Sequence, residues 1–306
     1  MTCAAMDVFN IPQIEFYKRK GALFEFEVVP LEKILSRQGT LNHELDKPHR
    51  VHFHNIVYIT QGEGRHYIDF QPYGFSPGSL IFISKGQVHS FDVQPEIRGH
   101  VVIFTKEFLE KNLIHCEVDS LYRLYNQHLH APVIPPRQTK REGIPELISE
   151  INREYFRQDP FAKEEILRSL LKVLLLKTER IKQSVNTGQK NTEWLILFGR
   201  FKEYLENHIA STRSVKDFAA MLRISTKHLN TVCKAISGST AKQYIDDFLT
   251  LEIKRILVTS DSSVQEISFN FGFEEPTNFV KYFKKHSGVS PAKFRKTYTS
   301  LAKVSF

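Results

Sequence analysis

Cysteine is scarce in this chain of 306 residues, which contains only Cys3, Cys116 and Cys233. Three cysteines without metal-type spacing supply neither a disulfide framework nor a zinc motif, and they indicate a reducing compartment. Apolar runs long enough to cross a bilayer are also missing, so the sequence predicts no membrane segment. The first residues lack the basic stretch and apolar core of a secretion signal, and we expect a cytoplasmic protein.

The chain also lacks signs of catalysis. Nothing in it resembles a nucleophile elbow, a phosphate-binding loop or a zinc-binding helix. We therefore expect no catalytic residues and no cofactor. Its composition is that of an ordinary globular protein, with 41% hydrophobic residues and a mean hydropathy of −0.30, and its length suffices for two domains.

Positive charge is concentrated in the last third of the chain. The whole protein carries a formal net charge of +8, and the residues from Asn191 onward hold 17 lysines and arginines against 11 acidic residues. An excess of basic residues in one region is typical of a surface that binds nucleic acid.

The clearest local pattern lies between Ser263 and Arg295. Ser263 and Glu266 form a capping box that begins a short helix. Gly272 ends that helix, because glycine readily adopts the left-handed conformation required there. A second helix with a polar and basic outer face is predicted from Pro276. This is the helix-turn-helix design, in which the second helix enters the DNA major groove.

An earlier copy of the pattern precedes it. Residues 214–217 align with residues 263–266 at an offset of 49, and Gly238 aligns with Gly288 at an offset of 50. The repeat predicts two helix-turn-helix units. Further helices are predicted at 194–208, leading into the region, and at 241–259, where the helix would fix the distance between the two units.

The run from Ile267 to Arg295 closely resembles the signature of the AraC/XylS family of bacterial transcription regulators. Two residues depart from it, since Ser268 replaces the usual alanine and Lys281 the usual arginine. The resemblance implies a homodimer that binds promoter or operator DNA and responds to a small-molecule effector. It also implies contact with RNA polymerase, as a transcriptional activator makes. Two reader helices would reach major-groove faces about 34 Å apart.

The resemblance also implies roles for particular side chains. The first reader helix would present Lys227, Asn230 and Thr231 to base edges, although Thr231 replaces a frequent arginine. The second would present Thr277, Asn278 and Lys281, where asparagine suits adenine and lysine suits guanine. Phosphate contacts are expected from four further residues: Lys234, Lys284, Lys285 and Arg295.

The N-terminal region is predicted to be built from strands. From about residue 16 to residue 102 apolar residues alternate with polar ones, and glycine-containing turns separate the runs, as in a β-barrel or sandwich. The stretch from His52 to Phe91 resembles a cupin barrel. We predict an α+β protein with a cupin-like, jelly-roll sensing and dimerisation domain at 1–182, a linker at 183–192, and an all-α DNA-binding domain of two helix-turn-helix units at 193–306.

The main alternative is a metal-dependent cupin enzyme fused to a DNA-binding module. Alternation along a strand would point His52 and His54 to one face, and His89 matches a later metal-ligand position of cupins. Tyr58 or Ile59 stands where metal cupins have glutamate. We expect hydrogen-bonded or ligand-facing histidines rather than a metal site. A further alternative, a DNA-repair fusion with a reactive cysteine, has only Cys3 as its candidate.

The barrel could hold a small organic effector, such as an acid or a sugar. Its wall is predicted to include seven residues: Phe24, Phe26, His54, Tyr58, His66, Tyr67 and Phe82. The same rings could instead simply fill a small barrel.

Two helices follow the barrel, at 144–155 and 162–182. The second has a wider apolar face than packing against one barrel requires. The family resemblance implies that helices between 144 and 182 pair two protomers. Burial of this face against the protomer's own barrel is the alternative.

Overall fold

The computed structural model describes residues 13–16, 24–36, 48–91, 96–111, 131–185 and 192–304. The chain divides into two compact units, Ile14–Ile196 and Leu197–Phe306. Cys3, Cys116 and most of the expected linker at 183–192 lie outside the described residues. Within the described residues, no helix combines the length and apolar character needed to cross a membrane.

The first unit is built on two antiparallel five-stranded sheets. Sheet I has the order β1-β3-β8-β5-β6 and sheet II the order β10-β7-β4-β9-β2. The strands are β1 Gln13–Ile14, β2 Phe26–Pro30, β3 His49–Val51, β4 His54–Gln61, β5 Gly64–Ile68, β6 Gln71–Phe75, β7 Leu80–Ile83, β8 Val88–Phe91, β9 Arg98–Phe104 and β10 Val133–Ile134. The expected α+β class, with strands before helices, is confirmed.

Both faces of sheet II are buried. One face packs toward sheet I through residues such as Val57, Ile83 and Val101, which form one apolar cluster with Val51 and Phe91 of sheet I. The alternate residues of the same strands form a second cluster with helices: Phe26, Ile56, Tyr58, Phe82, Val102 and Phe104. Because side chains alternate along a strand, each sheet II strand contributes to two separate cores.

Five helices accompany the sheets in the described part of this unit: α1 Leu31–Leu35, α2 Lys106–Glu110, α3 Pro136–Arg141, α4 Ile144–Phe156 and α5 Lys163–Val185. The apolar stripe of α4 contributes Ile144, Ile148 and Ile151 to the second cluster. Four leucines of α5 join them: Leu167, Leu171, Leu174 and Leu175. These two helices therefore cover the face of sheet II that points away from sheet I.

The second unit contains seven helices in its described part: α6 Thr192–His208, α7 Val215–Met221, α8 Thr226–Ser237, α9 Ala241–Thr259, α10 Val264–Asn270, α11 Pro276–Ser287 and α12 Pro291–Val304. Phe201 of α6 packs on Phe218 of α7 and on Tyr244 of α9, with ring centroids 5.7 and 5.8 Å apart. In α11, Phe279 and Phe283 are fully buried, as their spacing of four residues predicts.

Candidate nucleic-acid interface and ligand cavity

The two predicted helix-turn-helix units are α7 with α8 and α10 with α11. The Ser214 side chain caps α7 by accepting from the Asp217 N–H, and Ser263 caps α10 by accepting from the Glu266 N–H at 3.1 Å. The Glu266 carboxylate in turn accepts from the Ser263 N–H, so the predicted capping box is present. The second helix of each unit ends at a left-handed glycine, Gly238 or Gly288. The repeat seen in the sequence is therefore a structural repeat.

The tight turn inside each unit needs one residue with positive φ. Gly272 fills this place in the second unit with φ of 68°, and Arg223 fills it in the first with φ of 57°. Arg213 holds the second turn, since its guanidinium donates to the Gly272 carbonyl at 2.9 Å and lies 3.9 Å from the Phe273 ring centroid. The first turn places an L-residue in a conformation that favours glycine.

Polar contacts fasten α9 to both units. In the first unit, Asn230 Oδ1 accepts from the Ala241 N–H at 3.0 Å. In the second, the Tyr282 hydroxyl donates to Asp246 Oδ1 at 3.0 Å. Burial and the neighbouring Asp246 carboxylate raise the pKa of Tyr282, so that its hydroxyl stays protonated. These bonds fix α8 and α11 on one helical spacer.

Two residues expected on DNA make hydrogen bonds within the second unit. Asn230 is half-buried, and besides its bond to Ala241 it donates to the Thr226 carbonyl at 3.0 Å, which leaves its amide turned toward α9. Arg295 donates to the Leu257 and Ser262 carbonyls at 2.7 and 2.6 Å, so its guanidinium closes the end of α9. Sequence spacing does not show which neighbour a polar side chain meets, and the DNA contacts of these two residues stay predictions.

The remaining predicted contacts lie on exposed parts of the two reader helices. In α8 these are Lys227, Thr231 and Lys234, and in α11 they are Thr277, Asn278, Lys281, Lys284 and Lys285. Lys234 and Lys284 occupy the same place in the repeat, and each gives its carbonyl to the glycine that ends its helix. The two helices thus offer equivalent basic and polar faces.

A cavity of about 180 Å³ lies between the sheets of the first unit. Its described lining is mostly apolar and contains four polar residues: Glu27, His49, Asn55 and His89. None of the seven residues predicted for the effector wall lines it. Phe24, Phe26, Tyr58 and Phe82 belong to the helix-covered core, His54 stacks on Phe104, His66 lies beside His89, and Tyr67 is exposed.

The sheet II residues of the predicted effector wall lie on the side of the sheet that faces the helices. Tyr58 and Phe82 alternate with Val57 and Ile83, and it is Val57 and Ile83 that face the cavity. An alternating pattern defines two faces without saying which one a ligand meets. Because helices cover the other side, both faces of sheet II are apolar, and aromatic content does not distinguish them.

The three histidines considered under the metal-enzyme alternative do not form a group of metal ligands. The chain bends at His52, before β4 begins at His54, so the two residues do not share one strand. His89 belongs to sheet I, where its Nδ1 lies 3.1 Å from His66 Nε2. Burial and the nearby His49 lower the pKa of His66 to about 3, which keeps it neutral. Across the described residues, no group of three potential ligands could hold a metal ion.

The structure also shows the surroundings of two features that could suggest catalysis, a cysteine thiol and a serine-containing motif. Cys233 is buried in α8, and burial raises its pKa to about 12, so it is not a reactive thiolate. Residues 74–78 have the glycine–serine–glycine spacing of a nucleophile elbow, a motif that the sequence prediction overlooked, but this run joins β6 to β7 instead of leading into a helix. Cys3, the candidate of the repair alternative, lies outside the described residues.

Comparison with known proteins identifies the family. A family model described as an AraC-like ligand binding domain matches residues 34–171, and another described as a helix-turn-helix domain matches residues 218–297. The chain belongs to the AraC/XylS family. It therefore combines the ligand-binding domain and the DNA-binding domain that its sequence pattern predicted.

Relatives of this AraC-family chain include the HTH-type transcriptional activator RhaS of Escherichia fergusonii, 25% identical over 253 residues that cover 81% of this chain and 86% of the relative. RhaS of Klebsiella pneumoniae strain 342 is 24% identical with the same coverage. Among solved structures, the DNA-binding domain of AdpA in complex with a target DNA covers 36% of this chain and 97% of its own at 28% identity and a TM-score of 0.32. ToxT from Vibrio cholerae O395 covers 90% and 98% at 13% identity and a TM-score of 0.43.

The expected pairing helices of this AraC-family chain have two different apolar faces. The wide face of α5 is buried in the chain's own first unit, as the alternative interpretation held. A second, narrower apolar stripe of α5 stays exposed to solvent. Its residues Ile166, Val173 and Leu176 have exposed fractions of 37%, 42% and 43%. These residues are spaced by seven and then three positions, which is the heptad spacing of helices that pair in a coiled coil.

Proposed function

We propose that this AraC-family regulator binds two successive major-groove segments of operator DNA through α8 and α11, under the control of a small molecule in the cavity between its sheets. The fastening of both reader helices to α9 carries the proposal. Because Asn230 holds one unit and Tyr282 the other, the two basic faces keep a fixed separation before DNA arrives. A rigid pair avoids part of the ordering cost of binding.

Within this interface, base contacts fall to exposed residues in the first turns of the reader helices. Lys227 and Thr231 serve in α8, and Thr277, Asn278 and Lys281 serve in α11. Lys234, Lys284 and Lys285 lie further along the helices and are assigned to phosphates. Phosphate contacts supply affinity and base contacts supply sequence preference, so the two groups differ in a measurable way.

The substitutions Asn278→Ala and Lys284→Ala should have different signatures on DNA. We expect Asn278→Ala to relax preference at one base position by about 1–3 kcal/mol. Lys284→Ala should weaken binding to all sequences and reduce the slope of log affinity against log salt by about one. Selection from a randomised operator library, followed by titrations at several salt concentrations, measures both quantities.

Lys33→Ala is the control, since Lys33 is an exposed lysine of α1 in the other unit. It should change neither base preference nor the salt slope. A uniform loss from Asn278→Ala together with an altered base preference from Lys284→Ala would reverse the assigned roles.

We also propose that the exposed stripe of α5 joins two protomers. The substitution Val173→Glu should raise the dimer dissociation constant at least about tenfold, because dimerisation would bury an unpaired charge. Sedimentation velocity over a concentration series measures this effect. Tyr67→Glu is the matched control, since Tyr67 is also an exposed apolar residue at 38% but lies on sheet I. Equal effects of the two substitutions, or a wild-type protein that stays monomeric throughout, would refute the seam.

Two relatives carry the name transcriptional activator, which supports a role of this chain in activation. An activator of this kind would act in the cytoplasm and contact RNA polymerase at the promoter. A dimer would present four reader helices, so its affinity for a paired site would gain from effective concentration.

A further inference from the structure

The short helix α3 of the first unit carries three cations, Arg137, Lys140 and Arg141, and all three are exposed. At positions i, i+3 and i+4 they share one side of the helix. None of them forms an ion pair with an acidic residue of the described part of the chain. Arg180 of α5 adjoins them, because it lines a small cavity of about 70 Å³ together with Arg141. We call these four residues the basic face.

The acidic residues next to the basic face are already engaged. Glu142 follows α3, and its carboxylate accepts from Arg180 at 3.3 Å, while its carbonyl accepts from Lys177 at 2.6 Å. Glu146 and Lys177 both approach Gly143, each 3.6 Å from the position of a Cβ built there, so their charges offset each other. Four positive charges against the one carboxylate of Glu142 leave the basic face with a net charge of +3.

Helix stability does not account for all of these charges. Lys140 and Arg141 lie in the last turn of α3, where the partial negative charge of a helix C-terminus favours cations. Arg137 lies in the first turn, where the partial positive charge of the N-terminus disfavours a cation. An anionic partner outside the unit would explain why the third charge is present.

The basic face is held in a fixed orientation. Thr139 of α3 is fully buried, and its Oγ1 donates to the Gly78 carbonyl at 2.6 Å. Pro136 packs on the same turn, since its Cβ lies 3.0 Å from the position of a Cβ built at Gly78. The buried side of α3 is thus fastened to the turn between β6 and β7, and a partner of the opposite side meets an ordered surface at a lower entropic cost.

The covalent chain keeps the basic face near the DNA-binding unit. Arg180 lies five residues before Val185, where α5 ends, and α6 begins at Thr192. At about 1.5 Å per helical residue and about 3.6 Å per extended residue, the chain from Arg180 to Thr192 spans at most about 33 Å. One helical turn of DNA is about 34 Å long. DNA held by the second unit is therefore present at the basic face at a high effective concentration.

We propose that the basic face binds phosphates of the duplex DNA that flanks the operator, so that the first unit adds affinity without reading sequence. Duplex DNA suits this surface because it carries one negative charge per about 1.7 Å of helix axis. This inference rests on the proposed binding of DNA by α8 and α11, and it extends DNA contact to the first unit.

Two duplexes test the proposal on the full-length protein. One is the operator alone, and the other is the operator extended on each side by two helical turns of unrelated sequence. Anisotropy titrations at several salt concentrations give the affinity and the slope of log affinity against log salt. We expect a steeper slope on the extended duplex, by about three per protomer, since each phosphate contact contributes about 0.9. The extended duplex should also bind at least about tenfold more tightly at low salt.

The combined variant Arg137→Gln, Lys140→Gln and Arg141→Gln locates the contacts. It keeps Thr139, which anchors α3. Its slope on the extended duplex should fall by about 2–3 per protomer, while its slope on the operator alone should stay that of the wild type. If this variant does not fold, the wild type still decides, because equal slopes and affinities on the two duplexes would overturn the proposal.

The matched control removes the same amount of charge elsewhere on the first unit. It combines Lys33→Gln, Arg65→Gln and Lys85→Gln, three exposed cations on separate elements. This control should keep the wild-type slope on both duplexes. Equal changes in the control and in the α3 variant would show a general effect of net charge, and they would overturn the assignment to the basic face.

The same titrations separate this inference from the proposed function. If the wild type does not bind the operator alone, the proposed function fails. If the operator alone is bound and its extension adds nothing, only the role of the basic face fails. If the α3 variant keeps both wild-type slopes but loses activation in reconstituted transcription, the basic face contacts an acidic protein, and its assignment to DNA is wrong.

Discussion

Replacing Gly272 with alanine should destabilise the second unit by roughly 2–5 kcal/mol and abolish most operator binding. Two costs combine at this position. An L-residue at φ of 68° is strained by about 1–2 kcal/mol. In addition, an ideal Cβ would lie 2.2 Å from the Ala210 carbonyl oxygen, a backbone atom that cannot rotate away. Overpacking of this kind typically costs a further 1–3 kcal/mol.

Gly238→Ala is the matched control. Gly238 also has positive φ, at 77°, and also ends a helix of a helix-turn-helix unit, but a Cβ built there meets nothing within 4 Å. It should therefore show the conformational cost alone, about 1 kcal/mol. Arg223 shows that an L-residue can occupy the equivalent turn of the first unit.

Hydrogen exchange of peptides from α9 to α12, with DNA titration alongside, measures both glycine substitutions. Equal protection losses in Gly272→Ala and Gly238→Ala would show that the approach of Ala210 contributes nothing. Exchange resolves the second unit within the full chain, which a single melting temperature does not.

The helical unit could be predicted closely from the sequence because its signals are local. The caps at Ser214 and Ser263 and the buried spacing of Phe279 and Phe283 each depend on residues within four positions of one another. One family departure has a visible consequence: Ser268 replaces the usual alanine at a fully buried position, and its hydroxyl has no partner among the described residues.

The cavity could not be predicted in the same way, because it depends on which strands become neighbours. Glu27 and Asn55 are separated by 27 residues in the sequence and meet at one wall only through β9. The hydrogen bonds of Asn230 and Arg295 to α9 were not predictable for a related reason, since helix packing sets these partners. The sequence signal for the cavity was a polar residue within a strand that is otherwise mostly apolar, such as Asn55 between His54 and Ile56.

Lys182 lies on α5 against the helix-covered face of sheet II, where it is 6% exposed. Its Nζ lies 4.6 Å from the Phe82 ring centroid. Burial lowers the pKa of Lys182 to about 7. Because lysine in the unfolded chain has a pKa of about 10.4, the unfolded state binds the proton more tightly and the native state is penalised by about 4 kcal/mol at pH 7.

Lys182→Met should therefore stabilise the first unit by about 3 kcal/mol at pH 7. Methionine keeps the length of the side chain without the charge, and it loses the attraction of the ammonium to the Phe82 ring, about 1 kcal/mol. The sign with pH follows from the lowered pKa. The penalty in the wild type is complete below pH 7 and is relieved as pH rises toward 10.4, so the advantage of methionine should shrink by about 2 kcal/mol between pH 7 and pH 9.

Hydrogen exchange of α5 peptides at both pH values measures this advantage in the full chain. Lys172→Met is the control, since Lys172 lies on the same helix but is only half-buried, and it should change stability by less than about 0.5 kcal/mol at either pH. A loss of stability in Lys182→Met would mean that the ammonium is held by a partner worth more than its desolvation. The buried lysine would then be a stabilising contact of α5, and the wide face of that helix would depend on a charge as well as on its leucines.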